Sequence, residues 1–442
     1  MRAWRFRAWQ LWTALSVIAC TSLGYALFSG SVSKRIFLPG KTTSGHYQIE
    51  LACGACHADS FSDQTAIQRS CEKCHSNELR AARDSHPKDK FTDPRNADRV
   101  AALDARWCAT CHVEHRPEVA GSMGVTLPED YCYRCHQGIA DDRPSHTGMP
   151  FASCDDAGCH NFHDNRALYE DFLSKHLDDP DHRQLALLAV APQPDGVEKT
   201  GLGPETADGM VPLPETELLA WTESAHAKAQ VNCSGCHGGG QKQWSNEVTH
   251  EVCESCHSDQ VRGWLAGRHG MRRALALSPM QVEDARQPMR SDANHKQLSC
   301  NSCHPAHAYD TAHAAVDACL GCHADQHSLA YRQSAHWVSW QAEQAGSEVG
   351  SGVGCSTCHM PRTAEPEESR SFTQHNQNDN LRPNEKMIRN VCLNCHGLGF
   401  ALNALADVRL IESNFGGPPE AHVRSLELVR LRASGGERRA AE

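Results

Sequence analysis

The stretch Cys233-Ser234-Gly235-Cys236-His237 contains the pattern on which the fold of this 442-residue chain depends. Two cysteines are separated by two residues, and a histidine follows the second cysteine directly. On a helical turn the positions i, i+3 and i+4 lie on one face, so both thiols and the imidazole can reach the same bound group. The stretch is therefore predicted to hold one ligand with three side chains.

The same pattern recurs along the whole chain. One wider copy has four residues between its cysteines, in Cys154-Asp-Asp-Ala-Gly-Cys159-His160. The other regular copies are Cys53, Cys56 and His57; Cys71, Cys74 and His75; Cys108, Cys111 and His112; Cys132, Cys135 and His136; Cys253, Cys256 and His257; Cys300, Cys303 and His304; Cys319, Cys322 and His323; Cys355, Cys358 and His359; and Cys392, Cys395 and His396. The eleven copies contain 22 of the 23 cysteines and leave only Cys20.

Cys-x-x-Cys-His is the attachment signature of a c-type haem. The two thiols bond to the porphyrin, and the histidine becomes the proximal ligand of the iron. Histidine makes up 28 of 442 residues, so chance would place one after a given cysteine in about 6% of cases, yet it follows all eleven second cysteines. Zinc ribbons and disulfide scaffolds do not require that histidine. We therefore predict eleven covalently bound haem c groups.

The remaining histidines are numerous enough to supply a second ligand to every iron. Seventeen of the 28 lie outside the motifs, and an iron with two axial histidines carries electrons without an open position for substrate. His115, His163 and His307 follow a motif histidine by three residues, and His226 and His336 share a Ser-Ala-His sequence. The predicted distal ligands are His46, His86, His115, His146, His163, His176, His226, His269, His295, His307, His336 and His375.

The other histidines are assigned differently. His182, His313 and His422 are predicted to lie on the surface, whereas the sequence leaves His250 and His327 undecided between the two roles. We interpret Met360, which follows a motif histidine, as a packing residue rather than a ligand.

The composition predicts a mainly α-helical chain with much irregular structure. With one haem for about every forty residues, the haems replace much of a conventional hydrophobic core. Only 40% of the residues are hydrophobic and 6% are aromatic, so we expect short helices and little sheet. The net charge is −11, and no basic run with interleaved aromatic residues is present, which argues against a nucleic-acid partner.

The N-terminus predicts attachment to a bacterial inner membrane. Three arginines precede an uncharged, mainly apolar run from Leu11 to Phe28, which is just long enough to span a bilayer. Positive charge ahead of such a run places the N-terminus in the cytoplasm. A retained anchor is favoured, while a cleaved signal peptide and a lipoprotein attached at Cys20 stay open. All three place the haems in the periplasm.

The sequence divides into six segments. A stretch rich in proline and glycine, without cysteine or histidine, separates the first five motifs from the last six. The predicted segments are a cytoplasmic N-terminus over 1–10, a transmembrane signal anchor over 11–30, a five-haem domain over 31–185, a linker or loop over 186–215, a six-haem domain over 216–405, and a C-terminal helix and tail over 406–442.

The second half, over about 216–400, contains several longer sequence patterns. They are Ser224-Ala-His226 before Cys233, the stretch Cys355-Ser-Thr-Cys358-His359-Met360-Pro361, and His375-Asn376 with Met387 ahead of Cys392-Leu-Asn-Cys395-His396. With these residues it resembles the multihaem cytochrome superfamily that includes hydroxylamine oxidoreductase, octahaem tetrathionate reductase and pentahaem nitrite reductase. The resemblance implies that His226, His336 and His375 are distal ligands.

The resemblance does not extend to the catalytic features of that group. Its nitrite reductases carry a lysine in place of one motif histidine, whereas every motif here ends in histidine. Its hydroxylamine oxidoreductases have long helices and a modifying tyrosine after the last haem, whereas none of the 46 residues after His396 is tyrosine. Electron transfer is therefore the expected role of the second half.

The sequence as a whole predicts a membrane-anchored periplasmic electron carrier. Electrons would pass from a membrane or quinol-linked donor to a periplasmic or outer-membrane redox partner. An oxidoreductase acting on a small nitrogen or sulfur compound at one open-site haem is the alternative. A structural subunit of a larger respiratory complex is a third possibility.

Overall fold

The computed structural model describes most of the haem-binding sequence. The described residues are 8–28, 34–58, 63–82, 86–121, 124–143, 146–148, 160–164, 170–183, 214–231, 233–238, 244–278, 280–282, 285–295, 298–347, 350–364, 371–381, 386–423 and 425–431. Cys154, Cys159, the side chain of His295 and nearly all of the predicted linker lie outside them.

Short helices joined by irregular segments form the chain, which confirms the mainly α-helical class predicted from the composition. The α-helices are Ala8–Phe28, Cys53–Cys56, Gln64–Ala82, Lys88–Thr92, Ala97–Ala102, Cys108–Cys111, Tyr133–His136, Ile139–Asp142, Glu170–Lys175, Glu215–Glu223, Ala225–Lys228, Cys233–His237, His250–Glu254, Ser258–Ala266, Met271–Ala274, Thr311–Ala315, Asp317–Leu320, Gln326–Ala330, Ala335–Gln344, Cys355–His359, Gln377–Leu381, Lys386–Asn390, Leu398–Ala406 and Val408–Glu412. The 3₁₀ helices are Lys34–Phe37, Tyr47–Ile49, Pro94–Asn96, Ser291–His295, Cys300–Ser302, Tyr331–Gln333 and Cys392–Asn394.

Two short strands form an antiparallel hairpin in the second half. Arg362–Ala364 pairs with Ser371–Thr373, and Arg362 lies opposite Thr373. The first strand begins three residues after His359, and the second ends two residues before His375. The hairpin therefore carries the chain from a motif histidine to a predicted distal ligand.

The main hydrophobic core joins the end of the first half to the end of the second. Leu173 packs in one cluster with Ile388, Leu393 and Leu398, and all four side chains are buried. The Arg183 guanidinium donates a hydrogen bond of 2.9 Å to the carbonyl of Leu393. The predicted five-haem segment thus packs through its last residues against the C-terminal part of the chain.

Three arginines of the second half bind the backbone at the start of the first half. Arg268 donates to the carbonyl of Ser44 at 2.7 Å, Arg272 to Gln48 at 2.5 Å and Arg286 to Thr42 at 3.0 Å. Hydrogen bonds from charged donors are stronger than neutral ones. Because the stretch from 42 to 48 includes His46, these contacts fix a predicted ligand against the second half.

The N-terminal helix, Ala8–Phe28, covers the apolar run that the sequence predicts to be an anchor. Its side chains at Trp12, Leu15, Ile18 and Tyr25 are all more than half exposed. In the part of the chain that the structure describes, no helix has the length and the apolar character needed to cross a membrane.

Candidate haem-binding sites

The motifs fold as single turns that bring their three functional side chains together. The backbone N–H of the motif histidine donates to the carbonyl of the first cysteine, at 2.8 Å in Cys53–His57 and at 2.9 Å in Cys108–His112 and Cys319–His323. This bond closes one helical turn, so positions i, i+3 and i+4 share a face. None of the described cysteines is joined in a disulfide.

The second cysteine is held to the same turn in several motifs. Its backbone N–H also donates to the carbonyl of the first cysteine, at 3.1–3.2 Å, in the motifs of Cys132, Cys253, Cys300 and Cys319. The second cysteines concerned are Cys135, Cys256, Cys303 and Cys322. Both thiols of such a motif are therefore fixed at one turn beside their histidine, as attachment of one porphyrin requires.

Imidazoles from other parts of the chain lie opposite these motifs. In ten cases a motif histidine faces one histidine from outside the motifs, with ring centroids 5.9–6.4 Å apart. The pairs are His75 with His46, His112 with His163, His136 with His86, His160 with His146, His237 with His307, His257 with His226, His304 with His375, His323 with His269, His359 with His327, and His396 with His336.

This spacing fits one iron between each pair. Bonds from imidazole nitrogen to a metal are about 2 Å long, and two such bonds together with the two ring radii span about 6 Å. Rings in direct contact lie closer, as do those of His182 and His396 at 4.9 Å. A haem iron takes its other four ligands from the porphyrin, so two imidazoles and two thiols form a complete donor set for haem c.

Hydrogen bonds at Nδ1 leave Nε2 of many of these imidazoles available for the metal. Ring Nδ1–H groups donate to backbone carbonyls from His86 to Phe162, His112 to Gly124, His237 to Ser245, His327 to Ile411, His375 to Thr373 and His396 to Asp181, at 2.5–3.3 Å. Such second partners fix the tautomer and the orientation of a ligating histidine.

Burial keeps several of the paired imidazoles neutral, which is the form that binds a metal. Burial, and to a smaller extent the charge of the facing histidine, lowers the pKa of His269, His336 and His359 to about 4. These side chains are therefore ready to bind iron at neutral pH without first losing a proton.

Three of the distal histidines occupy the same place in a capped helix. Ser224, Ser334 and Asp325 each accept a hydrogen bond from the backbone N–H three residues later, at 3.1–3.2 Å. The residue two positions after each cap is a histidine that faces a motif histidine: His226, His336 and His327. The first two form the Ser-Ala-His repeat. His327 was left undecided by the sequence, although the same cap pattern would have revealed it.

Nine of the twelve predicted distal ligands are among the ten facing histidines, and three are not. His176 donates to Asp179 at 2.8 Å and packs against Phe172, and no described motif histidine faces it. The side chain of His295 lies outside the described residues. The undecided His250 lies beside Glu251 and Trp264.

His115 is the third predicted distal ligand that faces no described motif histidine. Among the described residues, His57 is in turn the motif histidine without a facing imidazole. His115 nevertheless has the geometry of a paired histidine. Like His307, it follows a motif histidine by three residues and has a positive φ, 64° against 68°. Its Nδ1–H donates to the carbonyl of Gly40 at 2.9 Å, where a glycine is required because a side chain would collide with the His115 backbone.

Consecutive motifs lie close to one another at their cysteines. Three pairs of thiols are near enough for each thiol to change the pKa of the other: Cys71 with Cys108, Cys253 with Cys300 and Cys319 with Cys355. Each of these residues is the first cysteine of its motif, so it is an attachment point for one porphyrin. The attachment points of three pairs of consecutive sites are thus neighbours.

An aromatic side chain connects two further sites. Phe162 stacks on His86 with ring centroids 4.2 Å apart and contacts His163 edge-on at 5.1 Å. His86 faces His136, and His163 faces His112. The distal ligands of these two sites therefore share one packing residue.

Comparisons with known proteins agree with this reading of the site. Residues 45–137 match the family model of cytochrome c3, and this stretch contains the first four motifs. Over 185 residues the chain is 24% identical to the multiheme cytochrome MtrA of Shewanella baltica, an alignment that covers 38% of this chain and 43% of the relative. The chain is a multihaem c-type cytochrome.

The cytochrome spans less than half the length of that relative. No solved structure matches it. Neither comparison extends the resemblance of the second half to the hydroxylamine oxidoreductase group, which stays a prediction. When bound, each haem supplies one-electron redox chemistry. The chain supplies thiols for attachment and imidazoles that would bind the iron.

The pair of His359 and His327 provides a direct test of the facing arrangement. In a His327→Ala variant, one haem should lose its distal ligand, so about one haem per chain should change from low to high spin. Low-temperature EPR of the ferric protein measures this change. The exposed His422 contacts Glu427 rather than a motif histidine, so His422→Ala is the matched control. An unchanged spectrum in the His327 variant would contradict the pairing.

Proposed function

We propose that this cytochrome is an electron conduit of eleven haems, all with two axial histidines. The observation that carries the proposal is the set of ten facing imidazole pairs, each of one motif histidine and one other histidine. An iron closed on both sides by histidine exchanges electrons but offers no position for a substrate. The protein then controls spacing, ligation and potential.

For the remaining site we propose the pair of His57 and His115. His163 and His307 each follow a motif histidine by three residues, and each faces the histidine of an earlier motif in the chain. By the same rule His115, which follows His112, serves an earlier motif. His75 already faces His46, which leaves His57. The hydrogen bond from His115 to Gly40 supports this role.

The contacts between sites support transfer along the chain. The three pairs of neighbouring thiols are one such contact, and Cys56 provides another. Burial, and then the nearby charges of Glu114, Cys74 and Cys53, raise the pKa of the Cys56 thiol. Burial, and then the charges of Cys392 and Cys395, raise the pKa of Cys358 to about 12. Groups that interact in this way are close neighbours, so the haems attached to them would be adjacent.

The haem count is tested by mass. The denatured protein should exceed the mass of its processed polypeptide by eleven haem groups, because thioether bonds survive denaturation. Replacing both cysteines of the wider motif, Cys154 and Cys159, with alanine should reduce the excess by one. Replacing Cys20, which lies outside the motifs, should not change it. An excess of ten in both the unaltered protein and the double variant would show that the wider motif carries no haem.

We further propose that the N-terminal helix attaches the cytochrome to the inner membrane, with the haems in the periplasm. The uncharged run from Leu11 to Phe28, the arginines before it and the exposed apolar side chains of the helix support this proposal. The holoprotein should stay in the membrane fraction through an alkaline carbonate wash, and a variant starting after residue 33 with a cleavable signal should be released. Release of the full chain would contradict anchoring.

The donor and acceptor are proposed from this placement. A quinol-linked membrane complex or another membrane donor would supply electrons near the anchor, and a periplasmic or outer-membrane redox protein would accept them. The relative is itself a multiheme cytochrome, which is consistent with electron transfer. A structural role in a larger respiratory complex would instead appear as co-purification with that complex and no haem reduction by it.

The alternative function is reaction of a small nitrogen or sulfur compound at one open haem. The observation that favours it is His57, which lacks a facing imidazole among the described residues. The conduit predicts a fully low-spin ferric EPR spectrum and no rapid nitric-oxide binding by the reduced protein. High-spin iron and nitric-oxide binding at this site should appear once its proposed distal ligand is removed, in a His115→Ala variant. One high-spin haem per unaltered chain would favour the alternative.

A further inference from the structure

The pair of His46 and His75 has a charged partner on each of its two imidazoles. Nδ1 of His46 lies 2.6 Å from a carboxylate oxygen of Glu114, and Nδ1 of His75 lies 2.8 Å from one of Glu78. Both ring N–H groups donate to a carboxylate, so the two nitrogens that would bind iron, Nε2, point away from these contacts.

The described hydrogen bonds of the other paired histidines go mostly to backbone carbonyls. Both Nδ1 atoms have a described hydrogen bond in two pairs, His46 with His75 and His237 with His307. His307 donates to Glu217 at 3.0 Å, but His237 donates to the carbonyl of Ser245. Of these two pairs, only that of His46 and His75 combines two carboxylates.

Glu114 is held in place as an ionised side chain. The backbone N–H and the hydroxyl of Thr43 each donate to it at 2.8 Å. His46 donates to the same carboxylate group at 2.6 Å, and His75 donates to Glu78 at 2.8 Å. A glutamate side chain ordinarily ionises at about pH 4.3, and all of these contacts come from donors, so both carboxylates are negative at neutral pH.

These two carboxylates have a definite effect on a bound iron. A carboxylate that accepts the Nδ1 proton of a ligating imidazole makes that imidazole more basic and a stronger electron donor. Ferric iron gains more from this donation, and from nearby negative charge, than ferrous iron does. Hydrogen bonds to the ligands and axial ligation itself are among the means by which a protein sets haem potential. Two such bonds on one iron act in the same direction.

We propose that Glu78 and Glu114 are potential-setting residues that make the haem between His46 and His75 the last one to accept an electron. They act through the ligands and do not touch the iron, so they are positioning residues. The proposal rests on the electron-carrying function proposed above and adds to it an order of reduction along the chain.

The position of this haem between two others determines how its low potential affects electron transfer. Cys71 of its motif lies near Cys108 of the following motif, and Cys74 lies near Cys56 of the preceding one. In the sequence, Glu114 stands between His112, the histidine of the following motif, and His115. The haem with the lowest potential thus lies between two neighbouring haems that are reduced before it. Each electron that passes through these three haems must therefore take one step that raises its free energy.

Neutralising the carboxylates tests the proposal. Glu78→Gln and Glu114→Gln keep an oxygen that can accept the Nδ1 hydrogen bond but remove the charge. A spectroelectrochemical titration should show the most negative component of the holoprotein moving to a more positive potential in each variant, and further in the double variant. EPR at poised potentials should show the low-spin ferric signal that disappears last shifting with it.

Two matched controls separate this effect from a general change in charge. Glu118 is an exposed glutamate that pairs with Arg116, so Glu118→Gln should leave every component in place. Glu217→Gln removes the single carboxylate at His307 and should move a component other than the most negative one. An unmoved most negative component in both the Glu78 and Glu114 variants, with full haem content and native circular dichroism, would overturn the proposal.

A purely structural role is distinguished by alanine variants. If the carboxylates only hold the rings in place, the Gln variants should keep the native potentials while Glu78→Ala and Glu114→Ala lose low-spin character; this result would also overturn the proposal. If charge sets the potential, Gln and Ala variants should both shift it. A failure of covalent haem incorporation in the unaltered chain would instead refute the electron-carrying function itself.

Discussion

The structure depends on one arrangement, the pairing of imidazoles from distant parts of the chain at a spacing that would hold one iron between them. Each facing pair joins a short local motif to a residue elsewhere, as in His304 and His375. A covalently attached haem with two such ligands closes the intervening loop, and loop closure costs little more for a long loop than for a short one. The chain can therefore be held together by haems where its own hydrophobic core, centred on Ile388 and Leu398, is limited.

This dependence explains why so much irregular backbone is compatible with a defined structure. Carbonyl groups in loops, such as those of Gly40, Gly124 and Ser245, accept hydrogen bonds from ring N–H groups. The same bond satisfies a backbone acceptor and sets the orientation of a ligand. Loops that would be expendable in another fold here orient candidate haem ligands, and positive φ values at His115 and His307 fit that role.

Conduction and control use different features of the same sites. The first cysteines of consecutive motifs, such as Cys253 and Cys300, lie near one another, which places attachment points together and favours fast transfer. The carboxylates of Glu78 and Glu114 do not shorten any path. They change the free energy of one step, so neighbouring haems of the proposed conduit have unequal potentials.

The sequence by itself determined the features that are local. Attachment requires three residues within one turn, so Cys-x-x-Cys-His specifies a site without reference to the rest of the chain, and short helices follow from the composition. Pairing was decided only by the tertiary structure. His327 and His176 look alike in sequence, yet one faces His359 and the other packs against Phe172, because a distal ligand is chosen by where distant segments meet. Contacts such as Arg268 to Ser44 set those meeting points across more than two hundred residues, and no short pattern encodes them.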